Sequence, residues 1–485
     1  MTGSLRIAVV HYHLRPGGVT QVIRNAVKSL DPARFQAVVL CGLAPPDTGP
    51  AVRVVEELNY AGPGTTAHEN ALAVRMESAA CDALGGPPDV WHIHNHALGK
   101  NPALTRAVFQ LAERGQRLLL QIHDFAEDGR PANYRRLLEE AGDGDPVRLG
   151  ARLYPQAAHV HYALLNPRDR EFLVAAGCLP DRAHLLPNPV AIDGGEPEGT
   201  PPPLGGLFLY PTRAIRRKNI GEFLLWSLLG HPGDRFATTL APTSPADRAA
   251  YDRWVSVARS LGLPVEFEAG RDGRVPFRDL LRGARAVVTT SVAEGFGLAF
   301  LEPWLAGRPL AGRDLPEMTR EFKAQGVNLD ALYERLLVPL AWVGADAFRR
   351  KVEAGLAALL REYGREPGLD EVDRAVAAAT DGRLVDFGRL DEDLQEIVIR
   401  RLARSPSLAE DLRPASLAAR LADGEALANN LRVTQEQYGL RPYGERLARI
   451  YDGLAGAGPG TLTAPDAGRL LDRFLAPERF FLLRT

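Results

Sequence analysis

The sequence has 485 residues with 45% hydrophobic and 24% charged side chains, a composition that excludes a disordered chain and predicts two or three globular domains. Lys and Arg (58) nearly balance Asp and Glu (60), so the net charge of −2 gives no electrostatic reason to expect nucleic acid or an anionic membrane as a partner. The three cysteines are scattered without metal-ligand spacing, no signal-peptide pattern opens the chain, and no apolar run approaches the ~20 residues of a membrane span, so we expect a cytoplasmic protein.

The first 190 residues alternate short apolar runs with helical patterns, which is typical of a parallel sheet with crossover helices. A helix is predicted to follow the first strand because apolar residues from Val19 to Leu30 recur at helical spacing. Asn166, followed by Pro167, predicts the capped start of another helix. Strands are predicted over 5–10, 37–41, 89–94, 117–122 and 158–164.

Clustered Gly and Pro predict a linker over 191–206, and a second series of strands and helices follows it. Two such series predict an α/β chain with two Rossmann-like domains, 1–190 and 207–319, which face a cleft and bind ligands at the carboxyl ends of their strands. Residues 320–485 are rich in Ala, Leu and Arg and predict a helical extension without strands. In the second series we predict strands over 207–210, 236–241, 265–267 and 286–290, and helices over 220–229, 246–261, 276–282 and 298–306.

The motif EGFGLAFLE, residues 294–302, is the most informative pattern in the chain. Gly295 and Gly297 would let backbone amides approach a ligand closely, after an apolar strand and before a helical run. The carboxylates of Glu294 and Glu302 each accept two hydrogen bonds, which suits the vicinal hydroxyls of a sugar or a ribose. The alternative is a capped helix start with two solvated glutamates.

The motif PTRAIRRKN, residues 211–219, follows the first strand of the second series. Arg213 could offer a planar fork and Lys218 a point charge to a diphosphate. Arg216 and Arg217 are interpreted as solvated neighbours. A basic cluster at a helix start is the alternative.

In the loop RPGGV, residues 15–19, Gly17 and Gly18 remove side-chain bulk at the start of a helix, where a phosphate would meet its positive end. The loop is neither a Walker loop nor a GxGxxG motif, and a simple turn is the alternative.

Histidines form another pattern at predicted strand ends. His92, His94 and His96 alternate and would share one face of a strand, a spacing that can bind zinc, but a structural or substrate-contacting role is favoured because no further ligand cluster is evident. His123 ends the next strand, where a histidine bonded to backbone is the alternative to a site residue. The Asp pairs of DGD at 143–145 and DED at 391–393 follow no strand, and we reject both as metal sites.

In this order and spacing the motifs resemble the retaining GT-B glycosyltransferases of the family-4 type (glycosyl transferases group 1), over roughly residues 5–317. The pattern Glu-x7-Glu with GFG inside it, preceded by Arg-x4-Lys, carries the resemblance, together with HIHNH, QIHD and LLPNPV. The resemblance implies a GT-B fold and a metal-independent hexosyltransferase, without a cofactor, that takes a nucleotide-diphosphate sugar and a small acceptor.

The resemblance also implies roles for individual residues. Gly17 and Gly18 would approach the donor phosphates, and Arg213 and Lys218 would neutralise the diphosphate leaving group. Glu302 would hold the ribose hydroxyls, and His123 would lie near the donor's 6-hydroxyl and the acceptor. The transferred hexose would be held by Glu294 and by the backbone amides of Gly295, Phe296, Gly297 and Leu298.

The chain departs from the family pattern after Glu302. Arg313 and Asp314 stand where the family commonly has glycine, in the segment RDLPE. This segment and the long helical C-terminus resemble a subgroup that makes small sugar conjugates such as glycosylglycerates. Residues 443–454 resemble the family's last helix, which crosses back to the first domain.

Three other functions compete with this interpretation. A phosphorylase of the same fold would release a sugar 1-phosphate from a disaccharide, and a non-catalytic protein would bind a nucleotide sugar without turnover. A zinc hydrolase built on His92, His94 and His96 is the third.

Overall fold

The computed structural model describes residues 4–45, 51–62, 69–191, 204–271, 275–405, 407–412 and 424–484. The chain forms two compact units, Met1–Pro189 with Gln437–Leu475 and Val190–Glu436 with Ala476–Thr485. Most of the linker predicted over 191–206 lies outside the described residues. Among those residues, none of the helices combines the length and the apolar character that a bilayer span needs.

The first unit is built on a seven-stranded parallel sheet with the strand order β3-β2-β1-β4-β5-β6-β7. Its central strands are buried along their whole length, which explains their continuous apolar runs. The strands are β1 Leu5–His11, β2 Phe35–Cys41, β3 Val52–Val54, β4 Val90–His94, β5 Leu118–Ile122, β6 Val160–Leu164 and β7 Ala183–Leu185. The helices between them are α1 Gly18–Ser29, α2 Glu69–Leu84, α3 Pro102–Glu113, α4 Pro131–Glu140, α5 Pro146–Leu153 and α6 Pro167–Ala175.

The second unit contains a six-stranded parallel sheet with the order β10-β9-β8-β11-β12-β13. Its strands are β8 Leu207–Arg213, β9 Arg235–Leu240, β10 Val265–Glu266, β11 Ala286–Thr289, β12 Leu310–Arg313 and β13 Leu332–Tyr333. The helices that accompany them are α7 Ile220–Leu229, α8 Pro245–Ser260, α9 Phe277–Gly283, the four-residue α10 Glu302–Leu305 and α11 Pro316–Ala324.

An accessory segment follows this sheet within the second unit. It holds a three-stranded antiparallel sheet of order β14-β16-β15, in a region where the sequence predicts helices alone. These strands are two or three residues long, too short for a periodic pattern to reveal. The elements are β14 Leu337–Pro339, α12 Ala345–Glu362, α13 Glu371–Ala379, β15 Thr380–Asp381, β16 Leu384–Asp386, α14 Glu392–Arg404 and α15 Ser407–Leu412.

The last helices are α16 Gly424–Tyr438, α17 Leu440–Ala455 and α18 Ala467–Phe474. Helix α17 belongs to the first unit, where its apolar face packs into the core beside β1 and α1. Tyr443, Leu447 and Tyr451 are buried there together with Ile7 and Val9. The first unit's core is therefore assembled from both ends of the described chain.

The α/β architecture with two parallel sheets agrees with the sequence prediction, and the differences lie in short elements. Asn166 caps α6 as predicted, because its side chain accepts from the amide of Asp169 at 2.9 Å. The single helix predicted over 298–306 is instead a 3-10 turn, Leu298–Phe300, followed by α10. Pro303 has no N–H to continue one helix through this stretch. All three cysteines, Cys41, Cys81 and Cys178, are free thiols.

Candidate functional site

Two loops meet at the centre of the second sheet, where ligand sites of parallel sheets form. Strands β8 and β11 are neighbours, and the strand order reverses between them, with β9 and β10 on one side and β12 and β13 on the other. Ligands bind at the carboxyl ends of strands at such a reversal. Lys218 follows β8 in a 3-10 turn, Arg216–Lys218, and Glu294 lies in the loop after β11.

Lys218 and Glu294 form a largely buried ion pair between these two loops. The Lys218 ammonium bonds to the Glu294 carboxylate, and their side chains are only 15% and 10% exposed. Burial lowers the pKa of Lys218 below its ordinary value, and Glu294 opposes that shift. Burial alone would raise the pKa of Glu294, but Lys218 and Arg217 outweigh it and hold this pKa below its ordinary value. The site therefore concentrates opposite charges out of bulk water.

Hydroxyl groups fix the backbone of the turn that carries Lys218. The carbonyl of Lys218 accepts from the hydroxyls of Tyr210 (3.1 Å) and Thr290 (3.0 Å). The amide of Val292 donates to the carbonyl of Arg217 at 2.9 Å, which joins the two loops. Motif reasoning missed Tyr210 and Thr290, although the change from valine to hydroxyl residues in VVTTS, at the end of β11, is a signal of a polar strand end.

Glu302 lies near the same cation. Burial raises the pKa of its carboxyl, and Lys218 opposes that shift. Gly297 has φ +91°, and a Cβ there would lie 2.8 Å from the Phe300 ring, so glycine is required at this turn. Phe296 is buried edge-to-face against Phe322, with ring centroids 5.5 Å apart. The structure thus brings Lys218, Glu294 and Glu302 together, with Gly295 in the loop and Leu298 in the 3-10 turn between the two glutamates.

The three arginines of the PTRAIRRKN motif lie in different surroundings. Arg213 ends β8 with an exposed side chain, and its Nη1 donates to the carbonyl of Ala241 at 3.3 Å. Arg217 contributes positive charge to Glu294, an effect that its interpretation as a solvated neighbour did not include. The same interpretation of Arg216 is wrong, because its guanidinium forms a two-pronged ion pair with Glu392 (2.6 and 2.8 Å).

In the first unit, Gly17 and Gly18 occupy the start of α1 beyond the carboxyl end of β1. Gly17 has extended backbone angles that any residue adopts, and a Cβ there would meet nothing closer than the Arg15 carbonyl at 3.9 Å. A Cβ at Gly18 would meet nothing within 4 Å. Both are exposed, so no packing contact within the described chain explains glycine at these two positions.

His123 lies at the carboxyl edge of the first sheet, directly after β5. Its Nε2 is 2.8 Å from Nδ1 of His94, and the two rings stack with centroids 5.1 Å apart. Burial lowers the pKa of His123 to about 4, with Asp124 opposing the shift. The imidazole is therefore neutral near pH 7 and suited to hydrogen bonding rather than to carrying charge.

The three alternating histidines do not form a common site. His92 bonds through its two ring nitrogens to Tyr451 (2.7 Å) and Gln121 (2.8 Å), and His96 bonds to the carbonyl of Leu153 at 2.7 Å. Among the described residues no group of His, Cys, Asp and Glu side chains has the arrangement of a metal site.

The acidic pairs of the sequence have structural partners. Asp143 pairs with Arg106, Arg148 and Arg152 at 2.9 to 3.0 Å, and Asp145 caps α5. In the accessory segment, Asp391 caps α14, and Asp393 pairs with Arg253 and Lys351.

Sequence reasoning also missed a cationic position after β4. The Lys100 ammonium lies 5.9 Å above the ring of Tyr60, and burial together with Arg130 and Arg136 lowers its pKa. Arg130 pairs with Asp124, and Arg136 pairs with Glu140, and Asp124 partly opposes the lowering of the Lys100 pKa. This site lies in the loop that follows the carboxyl end of a central strand of the first sheet.

Comparison with known proteins identifies relatives of the same fold. No protein-family model matches the chain. Mannosylglucosyl-3-phosphoglycerate synthase from Petrotoga mobilis is 28% identical over 377 residues, which cover 71% of each chain. Sucrose-phosphate synthase from Thermosynechococcus elongatus superposes with a TM-score of 0.52 at 14% identity, over 93% of this chain and 99% of that one. Anabaena HepE, solved with UDP and glucose, superposes with a TM-score of 0.50 at 13% identity, over 92% and 99%.

These comparisons confirm the predicted GT-B fold and the predicted resemblance to GT-B glycosyltransferases. They also confirm the assignment of the chain to the glycosyltransferase class of enzymes.

Proposed function

We propose that this glycosyltransferase moves a hexose from a nucleotide-diphosphate sugar to a small soluble acceptor, without a metal and with retention of configuration. The observation that carries the proposal is the cluster of Lys218, Glu294 and Glu302 at the reversal point of the second sheet. A buried cation suits a diphosphate, and two buried carboxylates beside it suit sugar and ribose hydroxyls.

In the proposed reaction the protein stabilises charge and forms no covalent intermediate. As the bond between the hexose and the diphosphate breaks, negative charge grows on the leaving oxygen, where Lys218 and Arg213 supply the positive charge. The acceptor oxygen bonds to the anomeric carbon on the face that the diphosphate leaves, and its proton passes to the leaving oxygen. Bond formation on that same face retains the configuration. His123, which is neutral near pH 7, would orient hydroxyl groups by hydrogen bonding.

The acceptor that we propose is a phosphoglycerate or a glycosylated phosphoglycerate. The curated relative with 28% identity is named for a phosphoglycerate product. The positive charge of Lys100 in the first unit, beside the ring of Tyr60, suits the phosphate or carboxylate of such an acceptor.

The function is tested in two stages. A thermal-shift screen of UDP-, GDP- and ADP-sugars identifies the donor, because a ligand that binds only the folded state raises its melting temperature. The preferred donor is then incubated with 3-phosphoglycerate or its glucosylated form, with and without EDTA, and NMR assigns the anomeric configuration of the product. We expect turnover that survives EDTA, and an axial or equatorial linkage that matches the donor.

Three outcomes would contradict the proposal. Activity that disappears with EDTA and returns with manganese would revive a metal mechanism. Release of sugar 1-phosphate that requires inorganic phosphate but no nucleotide would indicate a phosphorylase. Donor binding without transfer or hydrolysis would indicate a non-catalytic binding protein.

Replacing Glu302 and replacing Glu294 are expected to affect different steps, donor binding and turnover. Glu302→Ala should chiefly weaken donor binding, by ~1–3 kcal/mol, because hydrogen bonds to a charged group are lost at the ribose. Glu294→Ala should lower kcat more than donor affinity, because its carboxylate faces the reacting hexose. Calorimetry of donor binding and steady-state kinetics separate the two effects. Near-wild-type kinetics of both variants would contradict the assignment of this site.

Glu294 also sets the charge of Lys218, which predicts a pH effect. Since Glu294 opposes the lowering of the Lys218 pKa, Glu294→Gln should lower this pKa further. Lys218 would then lose its proton at lower pH, so the alkaline limb of kcat/KM should move to lower pH in the variant. An unchanged alkaline limb would mean that another group controls it.

Replacing Lys100 should weaken acceptor use alone. We expect Lys100→Ala to raise the KM for phosphoglycerate by about 10-fold or more, since hydrogen bonds to charged groups contribute about 1.5–3 kcal/mol. Donor affinity should not change. The matched control is Lys28→Ala, because Lys28 is exposed in the last turn of α1. Equal acceptor KM values for the two variants would contradict the anion site.

A further inference from the structure

The turn that carries Lys218 is held from the outside by helix α14 of the accessory segment. On one side of Lys218, the guanidinium of Arg216 donates to both carboxylate oxygens of Glu392 (2.6 and 2.8 Å). On the other side, the Gln395 side-chain amide donates to Oδ1 of Asn219 at 2.8 Å. One face of α14 therefore contacts the residues on both sides of Lys218, the cation that is predicted to bind the donor diphosphate.

Asn219 needs such support because its backbone is left-handed, with φ +53° and ψ +57°. A residue with a side chain keeps this conformation where its surroundings over-determine it, and asparagine tolerates it better than most. The side-chain nitrogen Nδ2 of Asn219 donates to Glu222 (2.7 Å), while its side-chain oxygen Oδ1 accepts from Gln395. All three side chains are buried. The geometry of the residue after Lys218 is thus fixed by a neighbour in the accessory segment.

Close packing brings Gln395 to this turn. Gly221 lies in the first turn of α7, and a Cβ there would collide with Gln395 Oε1 and lie 2.7 Å from the Trp254 ring. The missing side chain at Gly221 gives α14 the space to place its amide against Asn219. Gln395 is fully buried and also donates to the carbonyl of Phe387 at 3.1 Å, which fixes the amide from its own segment.

A buried ionic cluster also joins the region of this turn to the accessory segment. Arg313, at the end of β12, donates to Glu222 (2.6 Å) on α7 and to Asp386 (2.8 Å) at the end of β16. The amides of Leu336 and Gly388 also donate to Asp386, at 3.1 and 3.2 Å. Glu222 thereby joins Asn219 to the accessory sheet, so the turn and the segment share one polar network.

We propose that Gln395 and Glu392 are positioning residues for Lys218, so that the accessory segment is part of the donor-binding machinery. This inference rests on the proposed function, because both residues are assigned an effect on Lys218, the cation that is proposed to bind the diphosphate. A cation stabilises a developing charge best when its position is fixed before the reaction, since no reorganisation is then needed. The two contacts flank Lys218 in sequence, one to residue 216 and one to residue 219, and so restrain the turn from which its side chain extends.

The experiment compares the variants Gln395→Leu and Glu392→Ala with the wild type, using the nucleotide sugar selected by thermal shift and measuring its transfer or hydrolysis. Misplacing a reacting group by about 1 Å can cost roughly 100-fold, so we expect kcat to fall by about 10- to 100-fold in Gln395→Leu. The KM for the acceptor should not change. The matched control is Glu396→Ala, which removes the contacts of the same helix to Arg253 and Arg400 but none to the turn.

A double-mutant cycle separates positioning from general support. If Gln395 acts through Lys218, Lys218→Ala/Gln395→Leu should be as active as Lys218→Ala within about twofold, because the lost interaction is then shared. Multiplied losses, or a loss in Glu396→Ala equal to that in Gln395→Leu, would overturn the inference while leaving the proposed function intact. Wild-type turnover of Lys218→Ala would overturn both. If Gln395→Leu does not fold, the same cycle with Glu392→Ala decides the question.

Discussion

Replacing Lys218 with alanine is expected to lower kcat/KM for the nucleotide sugar by about 100-fold or more, the scale typical of losing one preorganised electrostatic contact. Departure of the diphosphate concentrates negative charge, and Lys218 is the buried cation beside both site glutamates. The alanine variant would also leave Glu294 without its ion-pair partner, which adds repulsion against the diphosphate. Steady-state kinetics at saturating acceptor measure the loss.

Arg213→Lys should also be damaging, because a point charge does not reproduce the planar guanidinium fork. Arg216 and Arg217 are unsuitable as controls, since one pairs with Glu392 and the other acts on Glu294. The matched control is Arg285→Ala. Arg285 immediately precedes β11, at the opposite edge of the same sheet, and pairs with Asp234 at 2.9 Å. If Arg285→Ala loses as much activity as Lys218→Ala, the assignment of the cation is wrong.

Replacing Arg313 with methionine is expected to lower the free energy of unfolding of the second unit by about 3–5 kcal/mol, because it removes the cation that two buried carboxylates share. Burial alone would lower the pKa of Arg313, but Asp386 and Glu222 raise it well above its ordinary value. The guanidinium therefore stays charged and holds both carboxylates. Urea unfolding followed by tryptophan fluorescence measures the effect, since four of the five tryptophans lie in this unit.

The effect of Arg313→Met should depend on pH in a defined direction. Burial already raises the pKa of Glu222 with Arg313 opposing it, so removal of Arg313 should raise this pKa further. A carboxyl with a raised pKa in the folded state stabilises the fold at low pH, and this contribution is lost as pH rises through the folded-state pKa. The deficit of the variant should thus be smallest at acidic pH and grow with rising pH.

The control for this loss is Arg248→Met, which breaks the exposed pair with Asp252 on α8. Exposed pairs of this kind contribute about 0–1 kcal/mol, so its unfolding midpoint should hardly move. A loss for Arg313→Met no larger than that of the control would contradict a stabilising role for the buried cluster.

The elements that sequence predicted well are those whose determinants are local. The apolar run of residues 5–10 needs only burial on both faces to become β1, and Asn166 with Pro167 starts α6 through contacts within three residues. The loops of the candidate site were predictable for the same reason. Lys218 and Glu294 each follow an apolar strand, and the strand order places those strands side by side.

What sequence did not reveal depends on partners far along the chain. Strand β12 ends in Arg313, whose charge argues against a buried strand until Glu222 and Asp386, 91 and 73 residues away, are known to surround it. Arg216 was misinterpreted for the same reason, since Glu392 is 176 residues distant. His92 likewise has Tyr451, 359 residues away, as a partner. Periodicity describes the segment that contains a residue, and it carries no information about such partners.

The way in which α17 completes the first unit has a consequence for the order of events during synthesis. The sheet of this unit is finished within its first 189 residues, but Leu447 and Tyr451, which cover the core beside Ile7 and Val9, emerge only after residues 190–436 have been made. Synthesis at about 5–20 residues per second takes roughly ten to fifty seconds over these residues, and the apolar surface stays uncovered during that time. A nascent chain arrested before α17 would expose that surface, and exposed apolar surface of this kind favours aggregation.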